Sequence, residues 1–246
     1  MLVLGFHAIE ESLRRGGRGE LLLCRRNARI ARLEELAAGS GVPVRTLERR
    51  ELDRIAGAEH RGAVLRLEEL PGPPSSPGAG TLAERLEALP GADALLLLLD
   101  GLSDPHNLGA ILRSADQFAV DLLVLTSRRS VRETQTVLRT SAGASLYVPV
   151  LTVPNLVRAM EAAKKVGFWI YGADLGGERL DNVRFEARTA LVLGAEGSGL
   201  RRLVRERCDA LVRIPARGHV DSFNVSVAAG ILMYEIRRQQ GFAGSR

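Results

Sequence analysis

The sequence is short of lysine, cysteine and long apolar runs. Of its 34 basic residues only Lys164 and Lys165 are lysine, and the rest are arginine. The two cysteines, Cys24 and Cys208, stand apart, with no CxxC pair and no Cys/His cluster at metal-ligand spacing. That excludes a disulfide framework or a zinc-ribbon site, and no metal is expected. Reduced thiols in a cytoplasmic protein are the simplest expectation. The longest strongly apolar run, Ala94–Leu99, is too short to span a bilayer, so no membrane association is expected. The start, Met-Leu-Val-Leu-Gly-Phe-His, has no basic n-region and no long apolar stretch, so no signal peptide is expected.

What is present suits a folded α/β protein. The 246 residues are 46% apolar and 26% charged, enough for a small domain and a medium one. The net charge is +5 and the sequence pI about 9.8. Arginine is charged at any working pH and offers a planar fork of donors that matches phosphate, so the basic excess favours an anionic partner, nucleic acid first. A GC-rich genome that encodes arginine wherever a solvated cation serves gives the same composition.

The stretch Pro71–Gly80, PGPPSSPGAG, is a semi-stiff linker by composition. It divides the chain into residues 1–70, a linker 71–80, and residues 81–246. The first part predicts helices at His7–Arg15, Ala28–Ala38 and Glu48–Ala56 and strands at Glu20–Cys24, Val42–Leu47 and Ala63–Leu67. Arg25, Arg26, Arg29 and Arg32 then cluster in space. They read equally as a phosphate-binding patch or as a solvated face balanced by Glu34 and Glu35.

The second part alternates strand and helix, with no internal repeat. Strands are predicted at Ala94–Leu99, Leu122–Leu125, Leu146–Val150, Trp169–Tyr171, Ala190–Leu193 and Ala210–Ile214. Helices are predicted at Leu108–Phe118, Glu133–Thr140, Pro154–Val166, Leu200–Glu206 and Val225–Gln239. Continuous apolar strands between helices imply a parallel sheet covered on both faces, and ligands in such sheets sit at the carboxyl ends of strands.

Three segments at such ends can carry chemistry. The first runs from Asp100 to Ser114, DGLSDPHNLGAILRS. Asp104 or Asn107 can cap the helix that starts there, and Arg113 falls in an otherwise apolar stretch where a charge needs a partner. That partner is a substrate phosphate on one reading and Asp116 or Asp100 on the other. The second segment, Leu193–Leu200, LGAEGSGL, has glycines for a tight turn and close backbone approach, at Gly194, Gly197 and Gly199. Its order is neither the dinucleotide fingerprint GxGxxG nor a P-loop. Glu196 beside those glycines disfavours phosphate and suits a neutral or cationic ligand; an ordinary βα turn is the bland reading. The third, Ile214 to Gly230, places Ser222 and Asn224 at the mouth of an apolar, small-residue helix. Ser222 can N-cap it, and Ser226, Ala229 and Gly230 allow close packing. A well-capped core helix accounts for the same residues.

These segments, in order and spacing, resemble the three motifs of the SpoU (TrmH-like) branch of the SPOUT RNA methyltransferases. The family pattern is Asn and, six residues later, Arg; then GxEGxG; then IPxxG…SxNxS. Here it is met at Asn107, Arg113, Gly194–Gly199 and Ile214–Ser226, with Phe223 where the family usually has Leu. The N-terminal part is similar to the L30e-type RNA-binding domain that precedes this core in one subgroup, through Gly5–Leu13 and His60–Val64, and Thr140–Ala144 matches that subgroup too.

The resemblance implies a deep C-terminal trefoil knot, which sequence physics alone does not predict because knots are nearly absent from proteins. It also implies a homodimer through the knotted domain. S-adenosyl-L-methionine is the implied cofactor, held around Gly194, Gly197, Gly199, Ile214 and Phe223. The implied reaction is methyl transfer to an RNA ribose 2′-OH, in the subgroup on a guanosine of 23S rRNA, with tRNA as the alternative. Arg113, Asn107, Glu196, Ser222 and Asn224 are the implied catalytic set. Arg113's counterpart is the family's proposed general base, at odds with a guanidinium that keeps its proton; the alternative gives Arg113 the adjacent phosphate and polarisation of the 2′-OH. A nicotinamide-dependent dehydrogenase lacks its fingerprint here, and a non-catalytic RNA-binding relative would not need the Asn107, Arg113, Ser222 and Asn224 set.

Overall fold

The computed structural model describes residues 1–69, 81–89, 92–126, 135–220 and 222–242. The 71–80 linker lies outside the described residues. In chain order the first elements are β1 (Leu2–Leu4), α1 (Phe6–Arg14), β2 (Arg18–Leu23), α2 (Ala28–Gly39), β3 (Val44–Thr46), α3 (Arg49–Ala56) and β4 (Ala63–Glu69). They are followed by α4 (Leu82–Glu87), β5 (Ala94–Asp100), α5 (Pro105–Gln117), β6 (Leu122–Thr126), α6 (Gln135–Thr140), β7 (Val150–Val153) and α7 (Leu156–Lys165). The last are β8 (Trp169–Arg179), β9 (Arg188–Gly194), α8 (Arg202–Glu206), β10 (Ala210–Arg213) and α9 (Val225–Gln239). The chain forms two compact units, one holding described residues 1–69 and 135–147, the other 81–126 and 148–242.

In the first unit a mixed sheet runs in the order β1-β4-β2-β3, with β2 and β3 parallel and the other pairs antiparallel. Alternation along β2 sends Leu21 and Leu23 to the face under α1 and α2, and Leu22 to the other face with Leu52 and Val64. Leu138 and Leu146 complete the larger core. The strand expected at Leu146–Val150 therefore begins later, at Val150: Ala144–Leu146 is a 3-10 turn whose leucine is needed in the first unit's core. Among the arginines, Arg25 donates to the Arg61 carbonyl (2.5 Å), Arg29 lies over the Phe6 ring (5.8 Å) and Arg32 faces Glu10 (3.8 Å). None of these three contacts involves Glu34 or Glu35.

In the second unit all six strands are parallel, in the order β10-β8-β9-β5-β6-β7. β5 is buried along its whole length, which explains its unbroken leucines. Leu96 and Leu98 join the core under α7, and α5 and α9 pack against each other on the opposite side. Thr81 and Glu84 close a reciprocal capping box on α4, the TxxE pattern of a helix start. The strand order reverses beside β5: β6 and β7 extend one way, β9, β8 and β10 the other. Asp100 at the end of β5 pairs with Gly194 at the end of β9. The first two motif segments thus leave the sheet side by side at the switch point, where such sheets hold ligands.

Candidate active site

Helix α5 starts earlier than its apolar pattern suggests. Asp104 is its N-cap, accepting from the backbone N–H of His106 (3.0 Å) and Asn107 (3.3 Å), with Pro105 in the first turn. Asn107 is therefore inside the helix and buried. Six residues at about 100° each turn Arg113 well round the helix from Asn107. Arg113 is exposed and, among the described residues, forms no hydrogen bond or ion pair. It is not the buried charge that its apolar neighbours Ile111, Leu112 and Ala115 suggested.

Asp100, the alternative partner for Arg113, belongs to Arg201. Its fully buried side chain accepts from the Arg201 backbone N–H (2.9 Å) and from the guanidinium Nε (2.6 Å) and Nη2 (2.5 Å). This pair ties the exit of the glycine segment to the end of β5, and no sequence signal marked it.

The glycine segment is a tight hairpin, with Ala195 and Gly199 exchanging backbone hydrogen bonds of 2.9 and 3.2 Å. A Cβ on Gly194 would lie 2.2 Å from the Gly199 carbonyl carbon, so only glycine fits where the hairpin folds back. Gly197 and Gly199 hold φ of 80° and 63°.

The third segment is capped by Asn224 rather than by Ser222. The Asn224 Oδ1 accepts from the Ser226 backbone N–H (2.9 Å) and from the Ser226 hydroxyl (2.6 Å). A backbone N–H can only donate, and this fixes the direction of a chain that crosses all three segments. With its oxygen committed, Asn224 presents Nδ2 to the Asn107 Oδ1 (3.0 Å), and Asn107 in turn presents Nδ2 to the Glu196 carboxylate (3.2 Å). Residues far apart in sequence are thereby joined into one polar line that ends on an acceptor.

Beside this line lies a pocket of about 350 Å³. Of the expected residues, Gly194, Glu196, Gly197, Gly199, Ile214, Ser222 and Phe223 line it; Asn107, Arg113 and Asn224 do not. Its far wall was not foreseen. Between Gly172, paired with Leu211, and Glu178, paired with Val212, five residues of β8 bulge outward, and Ala173, Asp174 and Leu175 of that bulge face the pocket. The glycines at 172, 176 and 177 were the available signal, since glycine inside a strand marks a bulge. Asp174 accepts from the Arg205 Nε (2.9 Å) and the Gly176 N–H (2.9 Å), and the Arg205 hydrogen bond holds its carboxyl below the usual range. Among the described residues no group of three or more His, Cys, Asp or Glu is placed to hold a metal ion.

Residues 94–234 match the model of the SpoU rRNA methylase family, and residues 2–73 match that of RNA 2′-O ribose methyltransferase substrate binding. The chain belongs to the SpoU rRNA methylase family. Among SpoU relatives, 23S rRNA (guanosine-2′-O-)-methyltransferase RlmB of Pseudomonas aeruginosa is 41% identical over 243 residues, 97% of this chain and 96% of its own. A putative TrmH family tRNA/rRNA methyltransferase of Staphylococcus aureus is 35% identical over 99% of this chain and 98% of its own. The structure of the SpoU methyltransferase AviRb from Streptomyces viridochromogenes, in complex with the cofactor AdoMet, matches with a TM-score of 0.75 at 25% identity, covering 100% of this chain and 91% of that one.

Proposed function

We infer that this protein is an S-adenosylmethionine-dependent RNA ribose 2′-O-methyltransferase whose target is a guanosine of 23S rRNA. The observation that carries the reading is the directed line from Ser226 through Asn224 and Asn107 to Glu196, which binds the three motif segments into one site beside the pocket. The names of the RlmB relatives supply the guanosine and the 23S rRNA.

The pocket fits the cofactor. Its volume is within the range of small-molecule sites. Leu193, Ile214, Val225 and Leu232 offer apolar contact, and the hairpin at 194–199 brings bare backbone to the surface. On this reading the backbone around Gly194, Gly197, Gly199, Ile214 and Phe223 holds the adenosine. When bound, S-adenosylmethionine supplies a methyl carbon attached to a sulfonium leaving group. The chain's own task is positioning, because in-line approach of a weak nucleophile gains most from fixed geometry. Arg113, exposed and without a protein partner among the described residues, suits the phosphate next to the target ribose. Asn107 and Ser222 orient the ribose and Arg113, and Asn224 holds Asn107. A requirement for the 2′-OH selects RNA over DNA.

The trefoil knot, the homodimer and the cytoplasmic location implied by the family resemblance belong to the same reading. The exposed Val227 and Tyr234 on α9, with Phe242 just beyond, support a partner copy on that helix. Mapping 2′-O-methyl groups in total RNA with and without this protein tests the function. One guanosine of 23S rRNA should lose its methyl group; loss at a tRNA ribose instead moves the substrate and keeps the chemistry.

A further inference from the structure

The pocket is lined by two carboxylates in unlike settings. Asp174 is neutralised by the Arg205 guanidinium. Glu196, exposed on the hairpin, forms no ion pair among the described residues; its hydrogen bond comes from the neutral amide of Asn107. That amide cannot turn over, because the Ser226 backbone N–H fixes the direction of the line two residues away. A donor is thus permanently presented to Glu196 Oε2, which accepts it. Oε1 takes no part in that bond. Arg113 is a cation that gives hydrogen bonds and takes no proton. Arg213, the other charged group lining the pocket, is also a cation and donates to the Gly177 carbonyl.

We propose that Glu196 accepts the proton of the target ribose 2′-hydroxyl, through Oε1. This rests on the methyl-transfer reading above. The O2′–H bond breaks and its proton goes to the carboxylate. The oxygen's electron pair forms the bond to the methyl carbon, and the pair of the breaking carbon–sulfur bond goes to sulfur, leaving a thioether. One negative and one positive charge disappear together in this step. The proton then passes to water.

Glu196→Gln and Glu196→Asp in the full chain test this. Calorimetry gives the affinity for S-adenosylmethionine and for S-adenosylhomocysteine, its neutral thioether product; anisotropy gives RNA affinity; single-turnover transfer gives the rate. Glu196→Gln should lower the rate by about 100-fold or more, with both calorimetric affinities and RNA binding within about threefold of wild type. Glu196→Asp, which keeps the carboxylate, should recover part of the rate. A Gln variant that transfers within about threefold of wild type overturns the proposal. So does a loss confined to binding of the charged cofactor and not of its neutral product, which makes Glu196 only a counter-ion. A wild-type protein that puts no methyl on ribose defeats the functional reading itself, a distinguishable failure.

Discussion

Arg201 closes the glycine hairpin onto the buried carboxylate of Asp100, using its backbone N–H and two guanidinium nitrogens. Removing the guanidinium leaves a buried charge with one backbone donor. Arg201→Ala should lower the unfolding free energy by about 1–3 kcal/mol, read from urea denaturation, and should weaken S-adenosylmethionine binding. In a cycle with Asp100→Asn the two losses should fall well short of additive. Full additivity would show that the pair does not act as a unit.

Gly194 has no space for a side chain. A Cβ there meets Gly199 at 2.2 Å and its carbonyl oxygen at 2.4 Å, so Gly194→Ala must open the hairpin. Cofactor affinity measured by calorimetry should fall by about tenfold or more. Gly218, where an added Cβ meets nothing within 4 Å, is the control, and Gly218→Ala should bind as wild type does.

Arg113 separates function from stability. It is exposed and unpaired among the described residues, so Arg113→Ala should change unfolding free energy by no more than about 0.5 kcal/mol. Methyl transfer should fall steeply, with the loss in RNA affinity and rate but not in cofactor affinity. Arg113→Lys should leave the shape of the pH–rate profile unmoved; an apparent pKa displaced toward that of lysine would assign proton acceptance to Arg113.

These residues also show what the sequence made legible. The apolar strands, the helices between them and the three motif segments at strand ends follow from local periodicity and spacing. Asn107, Glu196 and Asn224 were named from the motifs, yet their hydrogen bonds were not, because register across β5 and β9 decides which strand ends meet. Arg113 has apolar neighbours in sequence but lies off the stripe of Leu108, Ile111, Leu112 and Ala115 that α5 buries, which puts it in solvent. Ser222 was expected as the cap, but Asn224 is nearer the first turn and has the stronger acceptor. The transfer of Leu146 to the other unit's core and the Asp174 bulge are tertiary choices that no local pattern encodes.

Cys208 gives a pH test. Burial, the largest cause, pushes its thiol up from 9.0 to about 12, against a smaller opposing effect of Lys164. The folded state therefore keeps a proton that the unfolded chain releases. This contribution to stability is full below about pH 9 and is lost as pH rises toward 12. Urea denaturation should show part of the alkaline loss disappearing in Cys208→Ala. In the folded protein at pH 8 the half-buried Cys208 should react with a thiol reagent more slowly than it does after unfolding; equal rates would contradict the raised pKa.

The proposed function brings a methyl donor and an RNA ribose together in one site. Its most direct test is nucleoside analysis of 23S rRNA, unmodified at the target, after incubation with the purified protein and methyl-labelled S-adenosylmethionine. The label should appear in 2′-O-methylguanosine, at one position and with near-stoichiometric yield, and not in DNA of the same sequence. Label on a base, or none on 23S rRNA or tRNA while the cofactor is bound, would contradict the account.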